Sequence, residues 1–218
     1  MELLYALGAL DDKGRLTTPL GEQMSELPIA PTLSKMLFNA GEFNCVKEMA
    51  IIVAMLQVEN VFLNPPGQSA KAKVAKRQFE VSEGDLLTLL NVFNAFQNVD
   101  PNTVKHWCSS KFLRYKALVR ADQLYNRLVK TLARHGLYVD DEQVRIHPGD
   151  TDNVRKCIVS GLFPNAAYLH MVSTIKLIHL IFDDGFLRLI AERKFQNCSR
   201  RSRHIYSSYL SIIFNQTT

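Results

Sequence analysis

The sequence predicts a mainly α-helical fold, in which a helical bundle is preceded by a small unit that contains one β-hairpin. The longest periodic segment, 111–134, places its apolar residues on one helical face. Two further segments, 33–40 and 46–58, are apolar enough to lie in a core. Segment 8–18, with its Asp/Gly-rich turn, indicates a hairpin. The 218 residues suffice for one large domain or two small ones.

The composition is that of an ordinary soluble globular protein, with 47% apolar and 22% charged residues. No apolar run approaches the roughly 20 residues that cross a bilayer, and no signal peptide follows Met1, so we expect no membrane partner. The four cysteines include no CxxC pair and predict neither a zinc motif nor a disulfide framework. Buried free thiols in a reducing compartment are the expectation.

The net charge of +5 is concentrated towards the end of the sequence. Residues 171–218 hold 7 basic and 3 acidic side chains, whereas residues 1–170 hold 19 and 18. An argument for nucleic-acid binding must therefore rest on local geometry and not on bulk charge.

The first unit predicts a helix, a hairpin and a second helix. The apolar segment 3–7 is typical of the end of a helix, and 8–18 follows as the hairpin. Pro19 suits the first position of a helix over 20–27. A helix, a small hairpin and another helix make up the second half of a winged helix. Residues 1–28 are therefore predicted to form a partial winged helix.

The following segments predict further helices. After the two apolar helices, the turn residues of 64–69 predict a loop, which a short polar helix follows. Ser82 with Asp85 fits an N-terminal capping box for a helix over 83–97. The periodic helix over 111–134 comes next, and a last helix is predicted over 152–162.

The helix over 111–134 carries a row of basic residues opposite its apolar face. At 100° per residue, five of them fall within a stripe about 80° wide and about 27 Å long, without an acidic residue. They are Lys116, Arg120, Arg127, Lys130 and Arg134. Near neighbours of one sign repel, so the row is a candidate contact line for a phosphate backbone. A solvated face with counterions nearby is the alternative, which the residues alone favour. The short polar helix adds the candidates Lys71, Lys73, Lys76 and Arg77.

Motifs for catalysis are missing from the sequence. It has no GxxxxGKS/T phosphate-binding loop, no Asp-Glu-Ala-His run, no HExxH, no Ser/His/Asp order and no Gly-rich dinucleotide turn. The adjacent Asp183 and Asp184 would point about 100° apart on a helix and would not converge on one substrate. We therefore predict no catalytic residue, no cofactor or metal site and no small-molecule substrate for this chain.

Several motifs, in the same order, resemble the C-terminal accessory region of DEAH-box RNA helicases. Segments 3–11 and 16–21 are similar to the winged helix of that family, and 33–37 to its next helix. Three motifs look like its helical ratchet: GDLLTLLNVF at 84–93, Trp107-Cys108, and FLRYKAL at 112–118. Segment 157–167 looks like the lead-in to its OB-fold.

The resemblance implies a division of the chain. Residues 1–28 would form the partial winged helix, 29–139 the ratchet-like helical bundle and 140–171 the start of a truncated OB-fold. Residues 172–218 would be a divergent basic tail, because they resemble nothing in the family. The alternating strands of an OB-fold are not expected to continue into this tail, for which intron read-through, a frame change or alternative splicing is a hypothesis.

The resemblance also implies a function. In that family, motor domains use ATP and Mg²⁺, and the C-terminal domains close over RNA and offer surfaces to G-patch activators. The chain then looks like an accessory fragment of an ATP-dependent RNA helicase that is inactive alone. The resemblance also implies spliceosomal partners, a role in pre-mRNA splicing, and a location in the nucleus or otherwise in the cytoplasm. The basic stripe would face the RNA, although the family commonly has Arg where Lys116 stands. The alternative function is a non-enzymatic helical adaptor whose basic helix binds an acidic protein surface.

Overall fold

The computed structural model describes residues 1–137 and 151–165, together with the backbone of segments 167–170, 174–183 and 186–194. The described part is mainly helical, as predicted. Its helices are α1 (Glu2–Ala6), α2 (Leu20–Glu26), α3 (Pro31–Asn39), α4 (Val46–Leu56), α5 (Ser69–Arg77), α6 (Asp85–Gln97), α7 (Val104–Ser110), α8 (Tyr115–Arg134) and α9 (Asp152–Leu162). A 3₁₀ turn, Phe163–Asn165, follows α9.

A tight turn joins α1 to α2. Leu10 and Leu16 form an isolated antiparallel bridge, and the Asp11 carboxylate accepts hydrogen bonds from the backbone N–H groups of Lys13 (2.9 Å) and Arg15 (2.8 Å). The bond from Arg15 is the main cause that lowers the pKa of Asp11 from its ordinary value. Among residues 1–29 the structure has this one bridge and no regular strand, so the hairpin stays a prediction.

Helix α4 is the centre of the bundle. Its sequence is apolar around nearly its whole circumference, and such a helix is stable only when other elements surround it. It contacts α3, α6, α8 and α9, and every residue from Met49 to Met55 is buried. The predicted core role of this helix is therefore confirmed.

Helix α9 packs closely against α3. A Cβ atom at Gly161 would lie 2.2 Å from the Thr32 carbonyl oxygen and 2.4 Å from Met36 Cγ, so only glycine fits here. One turn earlier, the Cys157 thiol donates to the Met36 carbonyl oxygen at 3.2 Å. Residues on α9 therefore share one hydrophobic core with the bundle, although 139/140 was the predicted domain boundary. The boundaries themselves stay a prediction.

The predicted capping box at the start of α6 is wrong. The residue before the helix is Gly84, at φ 119°, a conformation that L side chains rarely adopt. The Ser82 hydroxyl donates to the neighbouring Glu83 carboxylate at 2.9 Å instead of capping the helix. The Thr88 hydroxyl donates to the Gly84 carbonyl oxygen at 3.0 Å, which is a bond within the helix and not a cap.

The predicted helix over 111–134 begins later, at Tyr115. Its first part is used to end α7: the N–H groups of Phe112 and Leu113 donate to the carbonyl oxygens of Ser109 (3.2 Å) and Cys108 (2.8 Å). This pattern places Phe112 at φ 55°, which is the usual left-handed C-terminal cap of a helix but with a bulky residue in place of glycine.

The backbone after α9 forms a three-stranded antiparallel sheet in the order β1 (Ala167–His170), β2 (Thr174–Asp183), β3 (Phe186–Lys194). Ala167 pairs with Leu177, and Asp183 pairs with Phe186. Strands β2 and β3 lie beyond residue 171, where the Ile- and Leu-rich segment 175–182 has strong β propensity. That the OB-fold is truncated at about residue 171 stays a prediction. Segments 138–150 and 195–218, with the rest of the predicted tail, lie outside the described residues.

Candidate nucleic-acid interface

The apolar face of α8 sets the orientation of the helix. Its buried residues recur at helical spacing and pack against α4: they are Ala117, Leu118, Ala121, Leu128 and Leu132. The C-terminal end is held as well, because the His135 ring meets Phe38 edge-on at 5.4 Å between centroids. His135 Nε2 also lies 3.1 Å from Glu26 Oε2 on α2. With these contacts in place, the opposite face of α8 points outward.

The outward face of α8 carries all five predicted cations. Lys116, Arg120, Arg127, Lys130 and Arg134 are each exposed, and we call this row the cationic stripe. None of the five forms an ion pair with a residue in the described ranges. Their positive charges are therefore not neutralised by the described part of the chain. That they bind nucleic acid stays a prediction.

The acidic residue of α8 lies off the stripe. Asp122 is half-buried, and its carboxylate accepts hydrogen bonds at 3.4 Å from Gln97 on α6 and from Asn126 on its own helix. At 100° per residue it lies about 120° from the centre of the stripe. The middle of the stripe is filled by the exposed neutral Gln123. The row thus presents one sign of charge over about 27 Å.

The predicted cations of α5 do not form one surface. Lys71, Lys73 and Arg77 are exposed, but the first two lie about 160° apart around the helix axis. Lys76 is engaged within the fold: its ammonium lies 3.5 Å from the Glu80 carboxylate and 3.8 Å from the Asp85 carboxylate. These contacts give Lys76 a role within the fold, and its contact with RNA stays a prediction.

Lys76 also covers a ring. Its Nζ lies 5.1 Å from the centroid of Phe62, within the range of a cation–π contact. It therefore connects α5 both to the segment before the helix and, through Asp85, to the start of α6.

An open groove lies beside the N-terminal end of α8. Two backbone segments pair there, since the Leu63 N–H donates to the Phe112 carbonyl oxygen and the Arg114 N–H to the Val61 carbonyl oxygen, both at 2.8 Å. The groove has a volume of about 460 Å³. It is lined by Phe62, Leu63, Asn64, Pro65, Ser109, Phe112 and Arg114. We call it the 62/112 groove. Sequence reasoning missed it because it placed Phe112 inside a helix.

Arg114 gives this groove a positive edge that is partly balanced. Its Nη1 donates to Glu59 Oε2 at 2.8 Å, and both side chains are a little under half exposed. A surface pair of this kind contributes only about 0–1 kcal/mol to stability, because water screens the charges. Arg114 precedes α8, so the groove lies next to the first cation of the stripe, Lys116.

The described cysteines are buried free thiols, as predicted. Burial raises the pKa of Cys108 to about 11. A hydrogen bond with Cys45, together with burial, raises the pKa of Cys157. Thiols held in this protonated form are poor nucleophiles. We therefore assign them to the core, whereas Cys198 lies outside the described residues.

The described residues show neither a metal-binding cluster nor a membrane-spanning helix. Among these residues, no group of three or more His, Cys, Asp or Glu side chains could hold a metal ion. None of the described helices combines the length and the apolar character needed to cross a membrane.

Comparison with protein families matches two adjacent parts of the chain. Residues 1–29 match the helicase associated domain (HA2), winged-helix, and residues 30–89 match the helicase associated domain (HA2), ratchet-like. The cationic stripe lies beyond the second match.

Curated relatives match a larger part of the chain. It is 43% identical over 178 residues to the "Probable ATP-dependent RNA helicase DHX35" of Pongo abelii, covering 82% of this chain and 24% of the relative. The protein of that name from Homo sapiens gives the same three percentages. The homolog from Caenorhabditis elegans is 44% identical over 170 residues, with 78% and 23% covered. The chain thus spans about a quarter of the length of these relatives.

Proposed function

This chain carries the C-terminal accessory region of a DEAH-box RNA helicase, and from this premise we propose that its cationic stripe holds the phosphate backbone of single-stranded RNA. The observation that carries the proposal is the exposed row of five cations on α8, without an ion pair to the described residues. The alternative of a solvated face predicts counterions near the row. Among the described residues, the acid on α8 is instead turned towards α6.

Electrostatics explains how such a row would work. Each cation that neutralises a phosphate releases a condensed counterion, and the entropy of release makes affinity depend on salt. Because only backbone phosphates are contacted, binding along the stripe would be independent of sequence. That property suits a protein that moves along RNA, since no position on the strand becomes a trap.

The wider setting is part of the proposal. The relatives are named as ATP-dependent RNA helicases. This sequence has no phosphate-binding loop for ATP and no Asp-Glu-Ala-His run for Mg²⁺, so we assign both to motor domains and to no residue of this chain. We also propose G-patch activators and spliceosomal components as partners, and pre-mRNA splicing in the nucleus as the setting. The family resemblance is what supports these last assignments.

A filter-binding titration of the full chain with a poly(U) oligonucleotide tests the proposal. Five phosphate contacts on a single strand give a slope of log K against log salt of about −3.5. The double variant Lys116→Glu with Arg120→Glu should reduce the steepness by about 1.4, because two contacts are lost. The melting temperature should stay unchanged, since both side chains are exposed.

A matched control separates the stripe from bulk charge. Lys13→Glu with Lys156→Glu lowers the net charge by the same amount at two exposed positions away from α8. This variant should keep the wild-type slope. If both double variants bind equally, or if the stripe variant binds as the wild type does, the proposal is wrong. If Lys116→Glu with Arg120→Glu loses binding to an acidic protein but keeps binding to RNA, the alternative function as a helical adaptor is favoured.

A further inference from the structure

We propose that the 62/112 groove is a base-stacking subsite, in which the ring of Phe112 stacks on one base of the RNA strand held by the stripe. This inference rests on the function proposed above and adds a second kind of contact to it. The stripe would bind phosphates, and the groove would bind a base next to the first phosphate. The geometry of Phe112 is the observation from which the inference starts.

Phe112 adopts a backbone conformation that a bulky residue rarely takes. Its φ is 55°, in the left-handed region that normally holds glycine or asparagine. Among the described residues, the other non-glycine residue with positive φ is Asn44, a type that tolerates this region. A bulky side chain kept in a sparsely populated conformation points to a local function, because a strain-free residue would suit the fold better.

The surrounding structure fixes this conformation. The two hydrogen bonds that end α7 hold the backbone on one side. On the other side, Leu113 is only 2% exposed and bridges to Phe62. The next residue, Arg114, is tied to Val61 at 2.8 Å. Because Leu113 takes the place in the core, Phe112 remains outside it.

The Phe112 ring has no aromatic partner in the described part of the chain. It is half-buried and belongs to the wall of the groove. The core cluster includes Phe62 among its partly buried neighbours but does not include Phe112. The ring is therefore presented to the groove instead of stabilising the bundle.

The groove offers what a nucleobase needs. Its volume of about 460 Å³ lies in the range of small-ligand sites. Aromatic faces stack on any base, and the exposed side chains of Asn64 and Ser109 add polar groups to the lining. Phe62 also lines the groove, with the Lys76 ammonium 5.1 Å from the centroid of its ring.

The charge around the groove favours RNA as the occupant. Arg114 lines it, and Lys116 follows two residues later, within about 7 Å along the backbone. A strand whose base enters the groove therefore has its next phosphate beside the start of the stripe. Single-stranded nucleic acid is commonly bound by this combination of aromatic platforms and a basic track.

The variant Phe112→Asn tests the subsite in the full chain. Asparagine tolerates positive φ, so the fold should be retained, whereas the stacking surface is lost. We expect poly(U) affinity to fall by about 5-fold or more, with an unchanged salt slope, because no charge is removed. Phe112→Tyr keeps an aromatic face and should bind as the wild type does. Phe112→Leu keeps apolar bulk without a planar face and should fall like the asparagine variant.

An oligonucleotide of abasic ribonucleotides provides a second measurement. It carries the same phosphates without bases, so the wild type should bind it more weakly than poly(U), and Phe112→Asn should bind both alike. Full poly(U) affinity in both the asparagine and leucine variants overturns the subsite. If the salt slope still responds to Lys116→Glu with Arg120→Glu in that case, the proposed function stands and only the subsite fails.

Discussion

Helices α5 and α8 carry similar numbers of basic residues but use them differently. On α5, Lys76 is bound by two carboxylates and a ring, and Lys71 lies about 160° around the helix axis from Lys73. On α8, five cations share one exposed face. The difference comes from the opposite face of each helix. Helix α8 buries a row of apolar residues against α4, whereas α5 buries only two alanines. Burial of a continuous apolar face fixes the rotation of α8, so that its cations lie together on the opposite, exposed face.

The largest effect should follow from damage to that apolar face. Leu118 has no exposed surface, and Leu118→Ala should lower the free energy of unfolding by about 2–5 kcal/mol through lost burial and the cavity left behind. Urea denaturation measures this loss. Val74→Ala on α5, at a residue that is 58% exposed, should lower the free energy of unfolding by less than about 0.5 kcal/mol. Equal losses at the two sites would contradict the comparison.

The next effect concerns RNA affinity. The neutral variant Arg127→Gln with Lys130→Gln removes two contacts from the stripe. Between about 0.1 M and about 1 M salt, the wild type should therefore lose about 25-fold more affinity than this variant does. The matched pair on α5, Lys71→Gln with Lys73→Gln, removes the same charge. It should have a smaller effect, because these two residues lie about 160° apart around the helix axis. A larger effect on α5 would move the RNA path to that helix.

A smaller effect is expected for Lys76, on stability and not on binding. Lys76→Ala removes two partly exposed ion pairs and the contact with Phe62. Such contacts together contribute about 1 kcal/mol. Chemical denaturation should show this loss, and high salt should reduce it. If RNA affinity falls instead while stability is unchanged, Lys76 is a binding residue and the original sequence prediction holds.

The smallest effect concerns Glu48, a charged residue on the buried helix α4. Burial raises the pKa of Glu48 above its ordinary value, so the folded state binds a proton more readily than the unfolded state. Stability contributed by the protonated form is present below the ordinary pKa and is lost as the pH rises through the folded pKa. Glu48→Gln should therefore be the more stable protein at neutral pH and should converge with the wild type in acid. Unfolding curves of the wild type and Glu48→Gln from neutral pH to acid measure this difference in stability. A difference that stays constant over this pH range would contradict burial as the cause of the raised pKa.

Much of the fold could be predicted because helical periodicity is a local property. The apolar segments of α4 and α8, and the bounds of α9, follow from residue spacing. The outward face of α8 could be predicted for the same reason. The start of α6 could not, because Gly84 and Ser82 both suit a helix beginning, and only the backbone geometry chooses between them.

The groove and the role of Lys76 could not be predicted, since both depend on contacts between distant residues. Val61 pairs with Arg114 across more than fifty positions. No spacing rule brings such segments together. The strands after residue 171 are a different case. The Ile-rich segment and the dipeptide Asp184-Gly185 are sequence signals for a hairpin, and these signals do not depend on resemblance to the family.

The packing of α9 on α3 has a consequence for synthesis of the protein. Met36 and Cys157, which meet in the folded state, are separated by 121 positions. At about 5–20 residues per second, the ribosome needs about 6–24 seconds to deliver the second after the first. During that interval the apolar side of α3 emerges without its covering helix. Until α9 has been made, the face of α3 that it covers is open to water and to other proteins.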